Sequence, residues 1–320
     1  MVVPAPGCND IEAPRQYDPD DAGCPAKAID HVNRLLLKIA LGGLFLAGSA
    51  AAKVIGEDSR RAAGEDEADL LSAVGYVVCT RVVDGRRRSA RGTGTVVGSR
   101  STVLSAAHVF VDEGGRGPRV TFDVEKDCTF RQYDATGELV VEAAFSHARF
   151  GEYRHNAGAP NHDWAVLRTA EPLPESSTPI PFAAVLPNEL DARVPIAILA
   201  FHADVRSARR VPLLSEGTLF GVDYGGFPRL AHTADMGRMS SGAAIVHRTG
   251  SGQNVVVGVN RSAARLGDFN LAVPLSRELE EALRSYAHGL VPVFGERLAS
   301  RPGEARAEQP ILRIMYIMTN

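Results

Sequence analysis

From residue 69 onward the apolar positions fall into short, β-branched runs separated by Gly, Pro, Asn, Asp and Ser. The runs are 75–83, 92–98, 102–105, 119–124, 139–145, 164–167, 194–201, 211–222 and 254–259. Many short strands punctuated by turns predict an all-β sandwich or barrel. Asp84-Gly85 and Ser99-Arg100-Ser101 mark two of the turns. One segment departs from the pattern. Ser276 opens a stretch in which Leu279, Leu283 and Tyr286 share a helical face, so 276–288 reads as a C-terminal helix. Residues 53–68 are rich in Lys, Arg, Glu, Asp and Ala and read as a flexible lead-in, and the tail 289–320 takes no assigned structure. No internal repeat of fixed period is visible.

The amino terminus has a different pattern. Residues 1–33 form a polar, turn-rich extension; a basic flank follows at Arg34 and Lys38, and residues 39–52 carry no charge. That uncharged stretch is short of the ~20 residues a membrane span needs. It ends in Ala and Ser, so 34–52 reads as a signal peptide cut between residues 49 and 52. The long polar extension is abnormal for one. Either the start lies further in, or the segment is an uncleaved signal-anchor. The expectation is export of 53–320, periplasmic or secreted, with a membrane attachment only if the segment is retained. An amphipathic or buried helix is disfavoured by Gly42-Gly43 and the Ala/Ser run.

The 320 residues are 45% apolar, enough for one or two sizeable cores. A net charge of −3 without a long basic tract argues against nucleic acid as a partner. Of the four cysteines, Cys8 and Cys24 precede the apolar stretch. Cys79 and Cys128 remain as an even pair, read as a disulfide of the exported chain or else as two free buried thiols. No CxxC or HExxH spacing occurs, so neither a metal nor another cofactor is expected.

Three segments carry candidate chemistry, in a fixed order. Leu104-Ser105-Ala106-Ala107-His108 runs a strand into a histidine. Asp163-Trp164-Ala165-Val166-Leu167 puts an acid before an apolar strand. Ser240-Ser241-Gly242 precedes another apolar strand. The order His, Asp, Ser is that of chymotrypsin-like enzymes rather than of subtilisins or α/β-hydrolases. With Gly92-Thr93-Gly94 upstream and Val256-Val257-Gly258-Val259-Asn260 downstream, residues 70–285 resemble the trypsin-like serine peptidases. Bacterial relatives of the glutamyl endopeptidase and V8 type are the nearest in pattern. The resemblance implies two six-stranded antiparallel β-barrels over residues 69–288, split near 175–190, with the C-terminal helix behind them.

It also implies roles. Ser241 would be the nucleophile, His108 the general base and Asp163 the acid that orients it, acting on a polypeptide substrate. Ser240 is a rival to Ser241 by adjacency only. Asn161 and His162 read as bystanders. The backbone N–H groups of Met239 and Ser241 would form an oxyanion hole. Met239 stands where the family has glycine, whose backbone freedom a methionine lacks. Asp235, six residues before Ser241, falls where trypsins carry the acid that binds basic side chains; a loop or capping acid is the alternative. Asn260 stands where glutamate-cleaving relatives have histidine, so that specificity is not supported. Val259, Asn260 and Arg261 would line a substrate-binding edge strand, with Arg261 equally readable as a solvated side chain. A second reading is a protease-fold binding module with weak or no activity, suggested by Met239.

Overall fold

The computed structural model describes residues 53–112, 119–154, 159–184, 193–205, 210–224, 226 and 228–288. The polar extension, the signal-like segment and the C-terminal tail lie outside the described residues.

The elements run β1 (Arg61–Ala62), α1 (Ala68–Ala73), β2 (Val74–Val83), β3 (Arg86–Val96), β4 (Thr102–Ser105), β5 (Val111–Asp112), β6 (Val120–Thr121), α2 (Val124–Asp127), β7 (Cys128–Tyr133), β8 (Leu139–Phe150) and β9 (Ala165–Thr169). The second half holds β10 (Val194–Ala200), β11 (Leu213–Asp223), β12 (Pro228–His232), β13 (Ala244–Arg248), β14 (Asn254–Ala263), β15 (Asn270–Pro274) and α3 (Arg277–Ala287). Six strands close the first barrel in the order β2-β3-β4-β9-β8-β7. The second follows β11-β10-β13-β14-β15-β12 and closes through the β11–β12 pairing, with β1 added outside β11. All pairings between named strands are antiparallel. The expected pair of six-stranded barrels is therefore present.

Burial explains the strand choice. Along β7 buried and half-buried residues alternate, which is the period of a strand with one face in a core. All of β4 is buried on both faces. Cys79 and Cys128 lie directly opposite each other on β2 and β7 and are joined by a disulfide. Ser276 caps α3 by accepting the Leu279 N–H, and Leu279, Ala282, Leu283 and Tyr286 are buried.

Three expectations change. The run 119–124 is only partly strand: Asp123 accepts the Glu125 N–H and starts the short α2 instead. Residues 128–133, 228–232 and 270–274 form strands that their patterns did not announce. Residues 53–68, expected as a flexible lead-in, are bound to the second barrel. Asn270 holds both edges of Lys53, donating to its carbonyl at 2.9 Å and accepting its N–H at 3.0 Å. Arg60 bonds Asp58 and Asp204, each at 2.8 Å, and β1 pairs with β11. A charged composition does not release a segment whose backbone groups have partners in a sheet.

Candidate active site

His108 sits in a single 3-10 turn, Ala107–Phe110, that follows β4. Asp163 ends another such turn and leads into β9, the strand paired with β4. This pairing brings two residues 55 apart in sequence into contact. Asp163 Oδ1 accepts the His108 backbone N–H at 2.9 Å, and Oδ2 accepts His108 Nδ1–H at 2.8 Å. The second bond fixes the ring tautomer and leaves Nε2 as the unprotonated nitrogen. The carboxylate is buried, which alone would raise its pKa. The charge and hydrogen bond of His108, followed by the charge of Arg261, outweigh burial and hold it below the ordinary aspartate value.

Ser241 comes from the turn before β13. Its turn docks on the strand and loop that lead to His108. Thr93 N–H donates to Ser241 O at 2.9 Å, and Thr93 Oγ1 donates to Met239 O at 2.9 Å. Gly242 takes φ +90°, and a Cβ there would lie 2.3 Å from Ser105 Oγ and from Thr93 O. Only glycine lets the two segments approach this closely. Ser241 Oγ donates to the carbonyl of Arg261 at 3.0 Å, and among the described residues it makes no hydrogen bond to His108. Ser240 is fully buried, its Oγ committed to Gly237 O at 2.8 Å, so it offers nothing to a substrate.

Met239 adopts φ +78°, the left-handed conformation that glycine favours. The tertiary structure imposes what the side chain disfavours. Thr93 holds the Met239 carbonyl, Ala203 N–H donates to Arg238 O at 2.8 Å, and Tyr76 Oη contacts Met239 Sδ at 2.9 Å. With the Arg238 carbonyl drawn toward Ala203, the planar trans peptide turns the Met239 N–H the opposite way. Neither that N–H nor the Ser241 N–H has a protein acceptor among the described residues.

Three of the four expected substrate contacts are enclosed. The Asp235 carboxylate is buried and accepts Ile55 N–H at 2.6 Å, Ser59 N–H at 2.8 Å and Ser59 Oγ–H at 2.7 Å. It anchors the lead-in segment. Val259 is buried and paired on both sides, with Ala244 and Val273. Asn260 is also buried. It donates to Ser240 O at 2.9 Å and to Ser240 Oγ at 3.0 Å, and its amide oxygen takes His232 Nε2–H at 3.1 Å. Arg261 does reach the site, but its Nε donates to Asp163 Oδ2 at 3.0 Å.

The residues from 92 to 259, just over half of the chain, match the model of the trypsin-like peptidase domain. The chain belongs to the trypsin-like peptidase family. The chain is accordingly a serine-type endopeptidase by family. A glutamyl endopeptidase structure in complex with MPD is 19% identical, with a TM-score of 0.54 over 74% of this chain and 99% of that one. The protease Anisep from Arthrobacter nicotinovorans is 14% identical, with a TM-score of 0.50 over 68% of this chain and 96% of that one. At these identities the likeness is one of fold. The curated proteins contain no significant match.

In this trypsin-like chain the sequence motifs pointed to the dyad but missed its supports. Thr93 was visible only as the middle of Gly92-Thr93-Gly94, yet it ties Met239, Ser241 and Phe201 N–H to β3. No motif in the sequence marks Tyr153. Its ring lies edge-on to His108 at 6.1 Å and beneath the Arg261 guanidinium at 5.6 Å. Among the described residues Asn161 donates to the Pro228 carbonyl and His162 pairs with Glu278.

Proposed function

We propose that the chain is an exported serine endopeptidase that cleaves polypeptides through an acyl-enzyme formed on Ser241. The observation that carries the reading is the His108–Asp163 pair, preformed at 2.8 Å beside the turn that presents Ser241. His108 Nε2 takes the Ser241 hydroxyl proton as the hydroxyl leaves Arg261 O and attacks the scissile carbonyl. Asp163 stabilises the imidazolium, which then protonates the leaving amine. The N–H groups of Met239 and Ser241 receive the oxyanion. The open edge of β14 begins at Arg261, because Asn260 is already bonded to Gly242 and Ala243. Residues 261–263 therefore offer the backbone that an extended substrate pairs with. No cofactor takes part in this scheme. Residues 53–320 act outside the cytoplasm, in the periplasm or secreted, after removal of the segment 34–52.

The test is labelling of purified residues 53–320 by a fluorophosphonate, with peptide-library cleavage alongside. Labelling and cleavage that both vanish in Ser241→Ala are expected; undiminished hydrolysis by a folded Ser241→Ala protein would remove Ser241 from the mechanism. A second reading, a protease fold that binds without cleaving, is favoured by the Ser241 hydroxyl facing Arg261 O instead of His108. Peptide binding without labelling would select it.

A further inference from the structure

The Arg261 side chain has no chemical task in the proposed reaction, yet Arg261 bonds both Asp163 and Ser241 and shares Asp163 with His108. Its side chain is mostly buried, and its Nε donates to the same Asp163 oxygen that holds His108 Nδ1. Its own carbonyl holds the Ser241 hydroxyl. The register of β14 shifts between Asn260 and Ser262, which lifts Arg261 out of the ladder with β15 and lets it turn toward Asp163. Burying a guanidinium is costly without a carboxylate partner, and here that partner is the acid of the dyad.

We propose that Arg261 is a positioning residue that acts through Asp163: its fixed cation competes with protonated His108 for one carboxylate oxygen, so the dyad stays unprotonated, and able to act as a base, down to lower pH. The catalytic half of this inference rests on the proposed triad; the protonation half does not. A proton arriving on His108 places a second positive charge against Asp163 Oδ2, where one already sits. The carboxylate then has less attraction to offer the imidazolium. Among the described residues, the Tyr153 ring is a contact shared by His108 and Arg261. Arg229 on β12 adds charge of the same sign, and burial followed by the nearby Arg261 charge holds it below its ordinary value. The His162–Glu278 pair lies next to Asp163 in the chain. The cost of the arrangement is a weaker base, because the interaction that would stabilise the imidazolium in the transition state is already divided.

The experiment is a proton NMR titration of the His108 Cε1–H in full-length domain 53–320, for wild type, Arg261→Lys and Arg261→Gln. Assignment comes from the signal lost in His108→Gln. The midpoint is expected to rise by about one pH unit in Arg261→Gln, a tenfold change in the protonation equilibrium, and to stay near wild type in Arg261→Lys. Coincident midpoints in wild type and Arg261→Gln would overturn the inference. Arg261→Met serves in the same way if the glutamine variant does not fold. In turnover, the acidic limb of kcat/KM should move up with the NMR midpoint while kcat at pH 9 increases severalfold. A uniform loss of activity with an unmoved limb would mean that Arg261 is merely structural. The titration needs no turnover, so a chain inert toward every peptide would sink the triad and leave the competition at Asp163 still measured.

Discussion

The two sides of the Ser241 turn are held by opposite kinds of interaction. Toward the first barrel lies an ionic cluster, in which one buried carboxylate, Asp163, faces an imidazole and a guanidinium. Toward the second barrel Ser240 itself rests on groups that exchange no charge. Ser240 is bound by Asn260, Asn260 by His232, and the nearby Asp235 only by backbone N–H groups and a serine hydroxyl. Both regions are buried, and both contain an aspartate that the sequence marks as functional. The difference teaches that burial of an acid is not by itself a sign of chemistry. What distinguishes Asp163 is that its partner His108 changes charge during the proposed reaction, whereas the donors around Asp235 cannot.

The sharpest way to break this contrast is to neutralise each aspartate in turn. Asp163→Asn should lower kcat by about four orders of magnitude while the protein stays folded, because an amide supports the wrong histidine tautomer. A loss below tenfold in steady-state kinetics would take Asp163 out of the mechanism. Acid should act on the second-barrel side instead. Burial drives the pKa of His232 down to about 4, and burial followed by the Arg60 charge does the same to His202. Between the unfolded value near 6.5 and about 4, the unfolded chain binds protons that the folded chain refuses. Stability is therefore full above pH ~6.5 and falls as the pH drops toward 4, on the order of 3 kcal/mol for each histidine at the lower end. Urea unfolding at pH 7.5 and pH 5 reads this directly. A flat midpoint for wild type, or an equal decline in a folded His232→Asn variant, would contradict the role of His232.

Asp235→Asn sharpens the comparison at smaller scale. It weakens three charge-assisted bonds to Ile55 and Ser59 and leaves an amide N–H₂ facing donors. A loss of about 2–3 kcal/mol of stability is expected, with kcat of the folded fraction within a few fold of wild type. A change of cleavage preference from basic to neutral side chains in this variant would instead restore Asp235 as a substrate contact. The smallest effect belongs to Met239→Gly. Glycine takes φ +78° without strain but gives up the Tyr76 contact and gains freedom in the unfolded chain. These offset, so the melting shift should correspond to no more than about 1 kcal/mol, with kcat unchanged or raised. A tenfold fall in kcat at unchanged folding would show that the methionine side chain itself works in the oxyanion site.

The sequence by itself determined the all-β class and the order of the three motifs, and the family resemblance of those motifs implied the barrel pair. Those features are local or periodic: β-branched runs write strands, and Ser105-Ala106-Ala107 before His108 is a steric requirement visible residue by residue. It also marked Cys79 and Cys128, which pair because β2 and β7 set them opposite each other. Only the tertiary structure decided what each polar group touches. Asp235, Val259 and Asn260 occupy the positions where family pattern puts substrate contacts, yet partners at least 14 residues away in the chain enclose them. The charged segment 53–68 reads as free because composition reports solubility, while its backbone hydrogen bonds depend on Asn270 and β11. Met239 looked unsuited to a left-handed backbone because intrinsic preference is local; Thr93 and Ala203 hold it there from β3 and the loop after β10. Arg261 shows the same limit. One shifted register on β14 turns a residue readable as solvated into a second cation on Asp163, and no pattern of neighbours along the chain encodes that distance.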